Sequence, residues 1–341
     1  MLGVITPISL NEIRELLPEH HYHYVRPINS GGFGSVFLVR SEKYNQEFCI
    51  KRIHQPNLSF NETKNEATTL IELCHPNIIS MYEFFFDESH TSLYIVLEHC
   101  NGGSLKDIIE KEGPIKPPKL YSFCYQIMNA LLYCHERNIA HRDIKPANIL
   151  LDNYGRPKLA DFGLSKKIEK GKTLQSYVGS LPFMAPEIIC RDNIDPFLAD
   201  IWALGITFFV IAFGRLPWRV QNNEELEAAI RTGILSFPSC ADTEFCRLIR
   251  AMTAVNPMKR ESLQKLLCSP IFQNIQKYEC AKLSSSVLKS TDNVLHRRSS
   301  SGVSPVVSQK EIIYKRINNK SYFQKRPGLK KTVALKETFA I

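Results

Sequence analysis

The stretch HRDIKPANILLDNYGRPKLADFG, His141 to Gly163, gathers side chains of unusual chemical capability. Asp143, Lys145 and Asn148 fall within six residues, and Asp161 follows after two strand-like pieces joined by a turn at Asn153–Gly155. Phosphoryl transfer asks for these types: a carboxylate beside the acceptor hydroxyl, a cation for the moving phosphate, and hard oxygen ligands for Mg²⁺. A charged loop that served only solvation would have no need of this set in this order.

Upstream, INSGGFGSV runs from Ile28 to Val36 between two strand-like segments. Glycine-rich turns let backbone N–H groups approach phosphate oxygens without interference from side chains. Alone, such a turn is equally a flexible hairpin. A strand rather than a helix follows it, which excludes a Rossmann nucleotide fold. Lys51 closes FCIK fifteen residues after Val36. A lone strand lysine is usually a solvated edge residue, but the apolar neighbours here point to a largely buried strand, where an ammonium calls for a carboxylate. Glu66 lies on the inward stripe of the next helical pattern, one turn before Leu70. Glu62 shares that face, so spacing leaves both open.

Two kinds of element must position these groups. From about Tyr24 to Leu97 the chain alternates turns with short β-rich runs, HYVRPI, SVFLVR, EFCIKRI and SLYIVLEHC. One helical pattern interrupts them from Asn61 to Leu73, and HPNI ends it, because proline disfavours helix in the residue before it. After NGGS at Asn101–Ser104 helical patterns dominate, over Leu120–Arg137, Asp200–Phe213 and Glu224–Thr232. A small β-rich lobe thus precedes a larger helical one, and clefts between lobes are favoured ligand sites. From about Ala281 serines and lysines recur without an apolar period, the composition of a chain too polar to offset its ordering entropy.

Charge is unevenly placed. The net charge is +9, while Ala281 to Ile341 carries 13 Lys and Arg against 3 Asp and Glu, leaving about −1 for the other 280 residues. The basic balance belongs to the tail and gives the folded part no nucleic-acid or membrane character. Ten cysteines run from Cys49 to Cys280 without a C-x-x-C pair. Cys240 and Cys246 are six residues apart, poor spacing for a metal, so reduced thiols are expected. His20, His21 and His23 cluster, but no further ligand follows at the usual spacing. The first 25 residues lack the basic start and apolar run of a signal peptide. Ile201 to Gly214, the most hydrophobic stretch, is too short to span a bilayer and holds Gly205. A soluble, cytoplasmic protein with a buried helix there is the expectation.

The motifs together resemble the eukaryotic protein kinases of serine/threonine type, from about Tyr24 to Phe272, roughly three quarters of the chain. The subgroup stays open, with the calcium/calmodulin-dependent-like group one candidate. The resemblance implies an α+β, two-lobed fold: an N-lobe over residues 24–100, a C-lobe over 101–272, an extension over 1–23, and a basic tail over 273–341. It implies ATP and Mg²⁺ as cofactors, and transfer of the γ-phosphate to Ser or Thr of protein substrates. By the same resemblance Asn29, Ser30, Gly31, Gly32, Phe33, Gly34 and Val36 form the loop over the ATP phosphates. Lys51, positioned by Glu66, holds the α- and β-phosphates. Leu97 is the gatekeeper, followed by hinge residues Glu98, His99 and Cys100. Asp143 orients the acceptor and takes its proton, Lys145 reaches the transferring phosphate, and Asn148 and Asp161 bind Mg²⁺. GSLPFMAPE, Gly179 to Glu187, is similar to the substrate-docking segment, with Glu187 paired to Arg260 and Asp200 on the helix anchoring the large lobe. Leu70, Met81, His141 and Phe162 match an apolar column linking the lobes.

Departures are few. Asn29 stands where the family has its first loop glycine, Asn256 replaces the aspartate before Pro257, and Ala147 occupies a position often acidic in members selecting arginine-rich substrates. No residue of Lys51, Asp143, Asn148 and Asp161 is lost, which disfavours a catalytically silent scaffold. The docking segment disfavours a small-molecule kinase, and an adaptor for nucleic acid or membrane rests on the tail alone. Ser176, four residues before Ser180, is the expected activating phosphorylation site, with Thr173 and Tyr177 behind it and an upstream kinase as the implied partner. Arg142 and Lys166, Lys167, Lys170 and Lys172 are the cations that such a phosphate would meet. In the tail, HRRSS from His296 to Ser300 resembles a basophilic phosphorylation site. Ser180 is expected to hydrogen-bond both Asp143 and Lys145, which favours Ser or Thr over Tyr as acceptor. Oligomeric state has no signature in the sequence.

Overall fold

The computed structural model describes residues 10–31, 34–54, 65–87, 91–168, 178–273 and 275. Gly32, Phe33, Glu62, Thr173, Ser176, Tyr177, Lys170, Lys172 and the tail beyond 275 lie outside the described residues.

The N-lobe is a five-stranded antiparallel sheet in the order β1-β2-β3-β5-β4, with β1 at Tyr22–Gly31, β2 at Gly34–Ser41, β3 at Glu47–His54, β4 at Met81–Phe86 and β5 at Ser92–Glu98. β4, MYEFFF, is an aromatic run that the sequence pattern above did not single out. Side chains alternate between faces along a strand. On β3, therefore, Phe48 and Ile50 point one way and Cys49 and Lys51 the other. Cross-strand partners share a face, and Lys51 stands opposite Val36 on β2 and Ile95 on β5. Helix α2, Asn65–Glu72, packs Ala67 and Leu70, and Leu73 just after it, into the core that also holds Leu93, Ile95 and Met81. It ends three residues before His75.

The opposite face is covered too. Helix α1, Leu10–Glu19, buries Ile13 and Leu17 among Phe37, Phe48, Ile50, Phe85, Tyr94 and Val96. His20 stacks on Phe85 with ring centroids 3.7 Å apart, and the imidazoles of His21 and His23 contact the Glu42 carboxylate. Part of the 1–23 extension thus packs into the N-lobe core, and β1 begins at Tyr22 rather than Tyr24.

The C-lobe is built on helices α3 (Leu105–Glu112), α4 (Lys119–Glu136), α5 (Pro186–Ile189), α6 (Pro196–Phe213), α7 (Asn223–Thr232), α8 (Thr243–Met252) and α9 (Leu263–Leu267). Short strands β6 (Ile139–Ala140), β7 (Ile149–Leu151), β8 (Pro157–Leu159) and β9 (Lys166–Lys167) form the pairs β6–β9 and β7–β8. α6 starts earlier than its sequence pattern, because Asp195 caps it by accepting from the N–H groups of Phe197 and Leu198. At 18 residues it reaches the length and hydropathy of a membrane span, yet it is the central helix of this lobe, with Trp202, Leu204, Ile206, Phe208 and Phe209 wholly buried. A Cβ on Gly205 would lie 2.7 Å from Thr253 Cγ2 and 2.9 Å from Met252 Cβ, so glycine lets α8 approach.

Candidate active site

The loop between β6 and β7 owes its shape to Asp200. This carboxylate, fully buried on α6, accepts the backbone N–H of His141 through Oδ2 and that of Arg142 through Oδ1, each at 2.8 Å, with His135 Nε2 3.0 Å from Oδ2. Two charge-assisted bonds to consecutive amides hold the chain as Arg142 takes a left-handed φ of 70°. His141 Nε2 meets the Ala160 carbonyl at 3.0 Å, and its ring sits against Phe162 at 4.8 Å. Leu70, Met81, His141 and Phe162 are all buried.

Asp143 leaves that loop with its carboxylate held by neighbouring donors. Lys145 Nζ donates to Oδ2 at 2.7 Å, Asn148 Nδ2 to the same oxygen at 2.9 Å, and Ser180 Oγ to Oδ1 at 3.0 Å. Lys145 Nζ also reaches Ser180 Oγ at 2.8 Å, closing a triangle between the loop and the segment entering α5. Asn148 Nδ2 donates a second bond, to the Asp143 carbonyl at 2.8 Å. The amide's donor side is thus committed to Asp143, and its Oδ1 is the atom suited to a cation.

The second cluster joins the two lobes. Lys51 Nζ lies 2.9 Å from both oxygens of Glu66 and 2.7 Å from Oδ1 of Asp161. Glu66 is therefore the carboxylate that this lysine holds. Burial pulls the Lys51 ammonium down, but the two carboxylates outweigh it and hold it above the usual lysine range. One ammonium serves two unequal acids. Burial pushes Glu66 up, against Lys51 and assisted by Asp161. Asp161 also feels burial, yet with its side chain 35% exposed Lys51 prevails and holds it below the usual carboxylate range. Asp161 has φ 61°, and a Cβ on Gly163 would lie 3.3 Å from Asp161 Oδ1, Glu66 Oε2 and Lys51 Nζ. Glycine after Phe162 is what admits the backbone to the cluster.

The remaining predicted positions surround these two clusters. Asn29, Ser30 and Gly31 pair in register with Val36, Ser35 and Gly34. Leu97 is half-buried opposite Cys49 and Met81. Glu98 ends β5 and donates its N–H to the Ser80 carbonyl, and the Cys100 thiol points to Glu98 Oε1 at 3.8 Å. Burial, reinforced by Glu98, pushes that thiol up to about 12. Glu187 and Arg260 make two parallel bonds of 2.7 Å inside the C-lobe, with Arg260 over the Trp202 ring. The bond network centred on Asp200 joins residues far apart in the chain and has no local mark in the sequence beyond an acidic residue inside an apolar helix.

A model of the protein kinase domain matches residues 22–272. The chain belongs to the protein kinase family. It is similar to "Probable serine/threonine-protein kinase MARK-A" of Dictyostelium discoideum, 30% identical over 82% of this chain and 26% of that protein. It is also similar to CBL-interacting protein kinase 32 of Oryza sativa subsp. japonica, 32% identical over 72% of this chain and 57% of the relative. NUAK family SNF1-like kinase 2 of Rattus norvegicus is 34% identical over 72% of this chain and 39% of the relative. The chain spans less than three fifths of the length of each of these relatives. The shared kinase region starts at β1 and ends with the turn at Pro270–Phe272.

Proposed function

We propose that this chain is a catalytically active serine/threonine protein kinase that transfers the γ-phosphate of ATP to Ser or Thr of protein substrates. The observation that carries the reading is the triangle of Asp143, Lys145 and Ser180. It sets a carboxylate, an ammonium and the docking segment within hydrogen-bond reach of one another. In this reading Asp143 orients the acceptor hydroxyl and takes its proton, while Lys145 stands beside it as a point charge for the phosphate. Lys51, fixed by Glu66, holds the α- and β-phosphates. Positioning and preorganised charge supply most of the rate in such chemistry.

The donor set suits Mg²⁺. Asp161 offers a carboxylate and Asn148 an amide oxygen, both hard ligands, and Mg²⁺ takes one or two protein oxygens together with substrate phosphates and water. Among the described residues no group of three His, Cys, Asp or Glu could hold a metal without such help. When bound, the metal supplies charge neutralisation at the phosphates. Requirement for ATP and reduced thiols supports a cytoplasmic setting, and an upstream kinase acting at Ser176 is the partner that this reading adds. The test is transfer of radiolabelled phosphate from ATP–Mg²⁺ to a randomised Ser/Thr peptide library. Wild type should label it and Asp143→Asn should not. Labelling at equal rates by both would overturn the assignment.

A further inference from the structure

Lys158 has no part in the clusters described above, yet it is a lysine inside a buried strand. It lies on β8, three residues before Asp161, and its Nζ is 2.6 Å from Oε1 of Glu98, the residue that follows Leu97. Its side chain is 7% exposed and that of Glu98 is 15% exposed. Around this contact the β7–β8 hairpin is laced to the segments linking the lobes. Leu159 N–H donates to the Asn77 carbonyl at 2.8 Å, and Ile79 N–H to the Leu159 carbonyl at 2.9 Å. Asn77 Nδ2 donates to the Pro157 carbonyl at 2.8 Å. Past the hinge, Gly102 N–H donates to the Leu151 carbonyl at 3.1 Å, and Leu151 N–H to the Gly103 carbonyl at 2.9 Å.

Backbone bonds therefore tie the hairpin to residues 77–79 on one side and 102–103 on the other. Between them the hinge at Glu98 is held by a side-chain ion pair. Removing two charges from water costs more than their attraction returns unless the geometry is good, so a buried pair is better evidence for one fixed arrangement than for stability. This arrangement links two ends of the cleft. Glu98 begins the hinge, and β8 delivers Asp161, whose carboxylate meets Lys51 at 2.7 Å. We propose that Lys158 is a positioning residue for the nucleotide, holding the hinge at a fixed distance from the strand that leads into Asp161. The proposal rests on the kinase reading and adds a determinant of ATP affinity to it. With Lys158 neutral, the Glu98 carboxylate would remain in the protein without its cation and would turn toward water, carrying the hinge away from the base end of the cleft. Misplacement of about 1 Å is enough to cost a hundredfold in rate, and a smaller loss is expected where only binding is affected.

The experiment uses the full chain and three variants, Lys158→Met, Lys158→Arg and Lys158→Met/Glu98→Leu. Steady-state phosphorylation of a peptide gives KM for ATP and kcat, fluorescent mant-ATP gives Kd, and thermal unfolding gives Tm. Lys158→Met should raise KM for ATP and Kd by about tenfold, ~1.4 kcal/mol, with kcat at saturating ATP within about twofold of wild type. Lys158→Arg should recover most of the affinity. The double variant, which leaves no unpaired charge, should recover Tm but keep the raised KM. Wild-type KM in Lys158→Met overturns the proposal, as does full recovery of KM together with Tm in the double variant. Equal falls in kcat and kcat/KM would also overturn it, since they describe lost chemistry rather than lost binding. If wild type itself shows no saturable mant-ATP binding, the nucleotide site fails and the proposal fails with it. Tight binding by wild type and Lys158→Met alike rejects the positioning role only.

Discussion

Lys51 on β3 of the N-lobe and Asp161 at the end of the β7–β8 hairpin of the C-lobe meet at 2.7 Å. Glu66 lies 2.9 Å from the same ammonium. A single cation thus joins the sheet, helix α2 and the strand pair below. Replacing it by an apolar chain of similar length keeps the volume but leaves two carboxylates facing each other. Lys51→Met should lower kcat at least about a hundredfold, the scale of losing one preorganised charge contact. Far-UV circular dichroism should remain that of the wild type. Near wild-type kcat in this variant would remove Lys51 from the site.

The same pair gives a pH signature. Asp161 is depressed in the folded protein, so its contribution is present above the unfolded value near ~4 and fades as pH falls through the lower folded value. Lys51 is raised, so its contribution is complete below the unfolded value near ~10.4 and fades as pH rises through the higher folded one. The Lys51–Asp161 pair by itself should give a plateau between those limits and a decline on both sides. Glu66, raised by burial, works in the opposite sense to Asp161, its contribution present at low pH and lost as pH rises through its folded value. Urea unfolding across pH should show the alkaline decline in wild type and a weaker one in Lys51→Met. An identical alkaline limb in both would detach the decline from Lys51.

Helix α1 makes a packing prediction. Leu17 and Ile13 fill the face of the sheet formed by Phe37, Phe48, Ile50, Tyr94 and Val96. Leu17→Ala should destabilise the N-lobe by about 2–5 kcal/mol, the range for a buried leucine truncated to alanine. An exposed neighbour in the same helix, Glu15→Ala, should change stability by less than about 0.5 kcal/mol. Equal urea midpoints for Leu17→Ala and wild type would mean that the helix does not stay docked in solution.

Residues far apart in the chain separate what the sequence made legible from what it did not. The β-rich and helical lobes follow from side-chain period alone, and Asp143, Lys145, Asn148 and Asp161 from type and spacing, because those features are local. Glu66 as the partner of Lys51 needs the sheet, since spacing alone leaves Glu62 equally open and only β3 brings an ammonium to 2.9 Å from Glu66. Helix α1 carries Leu10, Ile13, Leu16 and Leu17 at helical spacing ahead of Pro18, so the helix itself is legible in sequence, but its place is not, because only the folded sheet offers the face that receives Ile13 and Leu17. Asp200 reads as one acid in an apolar helix, and its role appears only when residues 141 and 142 present their amides. Lys158 carries no signal of its own in the sequence for the same reason: the carboxylate it meets, Glu98, lies sixty residues upstream.

The C-lobe has its own buried pair. Arg260 donates 2.7 Å bonds to both oxygens of Glu187 and further bonds to the carbonyls of Ala254 and Leu198. Glu187→Ala should destabilise the domain by about 3–5 kcal/mol, because it strands a buried guanidinium. Glu187→Gln keeps one acceptor and should cost less. Thermal unfolding of both decides it, and a smaller loss in the alanine variant would contradict the pair.

The choice of acceptor turns on Ser180. Its hydroxyl donates to Asp143 Oδ1 at 3.0 Å and accepts from Lys145 Nζ at 2.8 Å, so the segment entering α5 is held directly against the carboxylate that takes the acceptor proton in the proposed function. A short Ser or Thr side chain can bring its oxygen to Asp143 while its backbone lies along that segment. A tyrosine hydroxyl stands several ångströms further from its backbone and would overshoot, and an error of about 1 Å is enough to cost a hundredfold. Phosphoamino-acid analysis on a randomised library should therefore give phosphoserine and phosphothreonine. Ser180→Thr keeps the hydroxyl and should retain activity within about threefold. Ser180→Ala frees one oxygen of Asp143 and releases the segment, and kcat should fall about tenfold or more, with the larger losses expected when a catalytic base itself is removed. Predominant phosphotyrosine would reject the geometric argument. Full activity in Ser180→Ala would show that the hydroxyl only decorates the segment, and that Asp143 and Lys145 hold their positions without it.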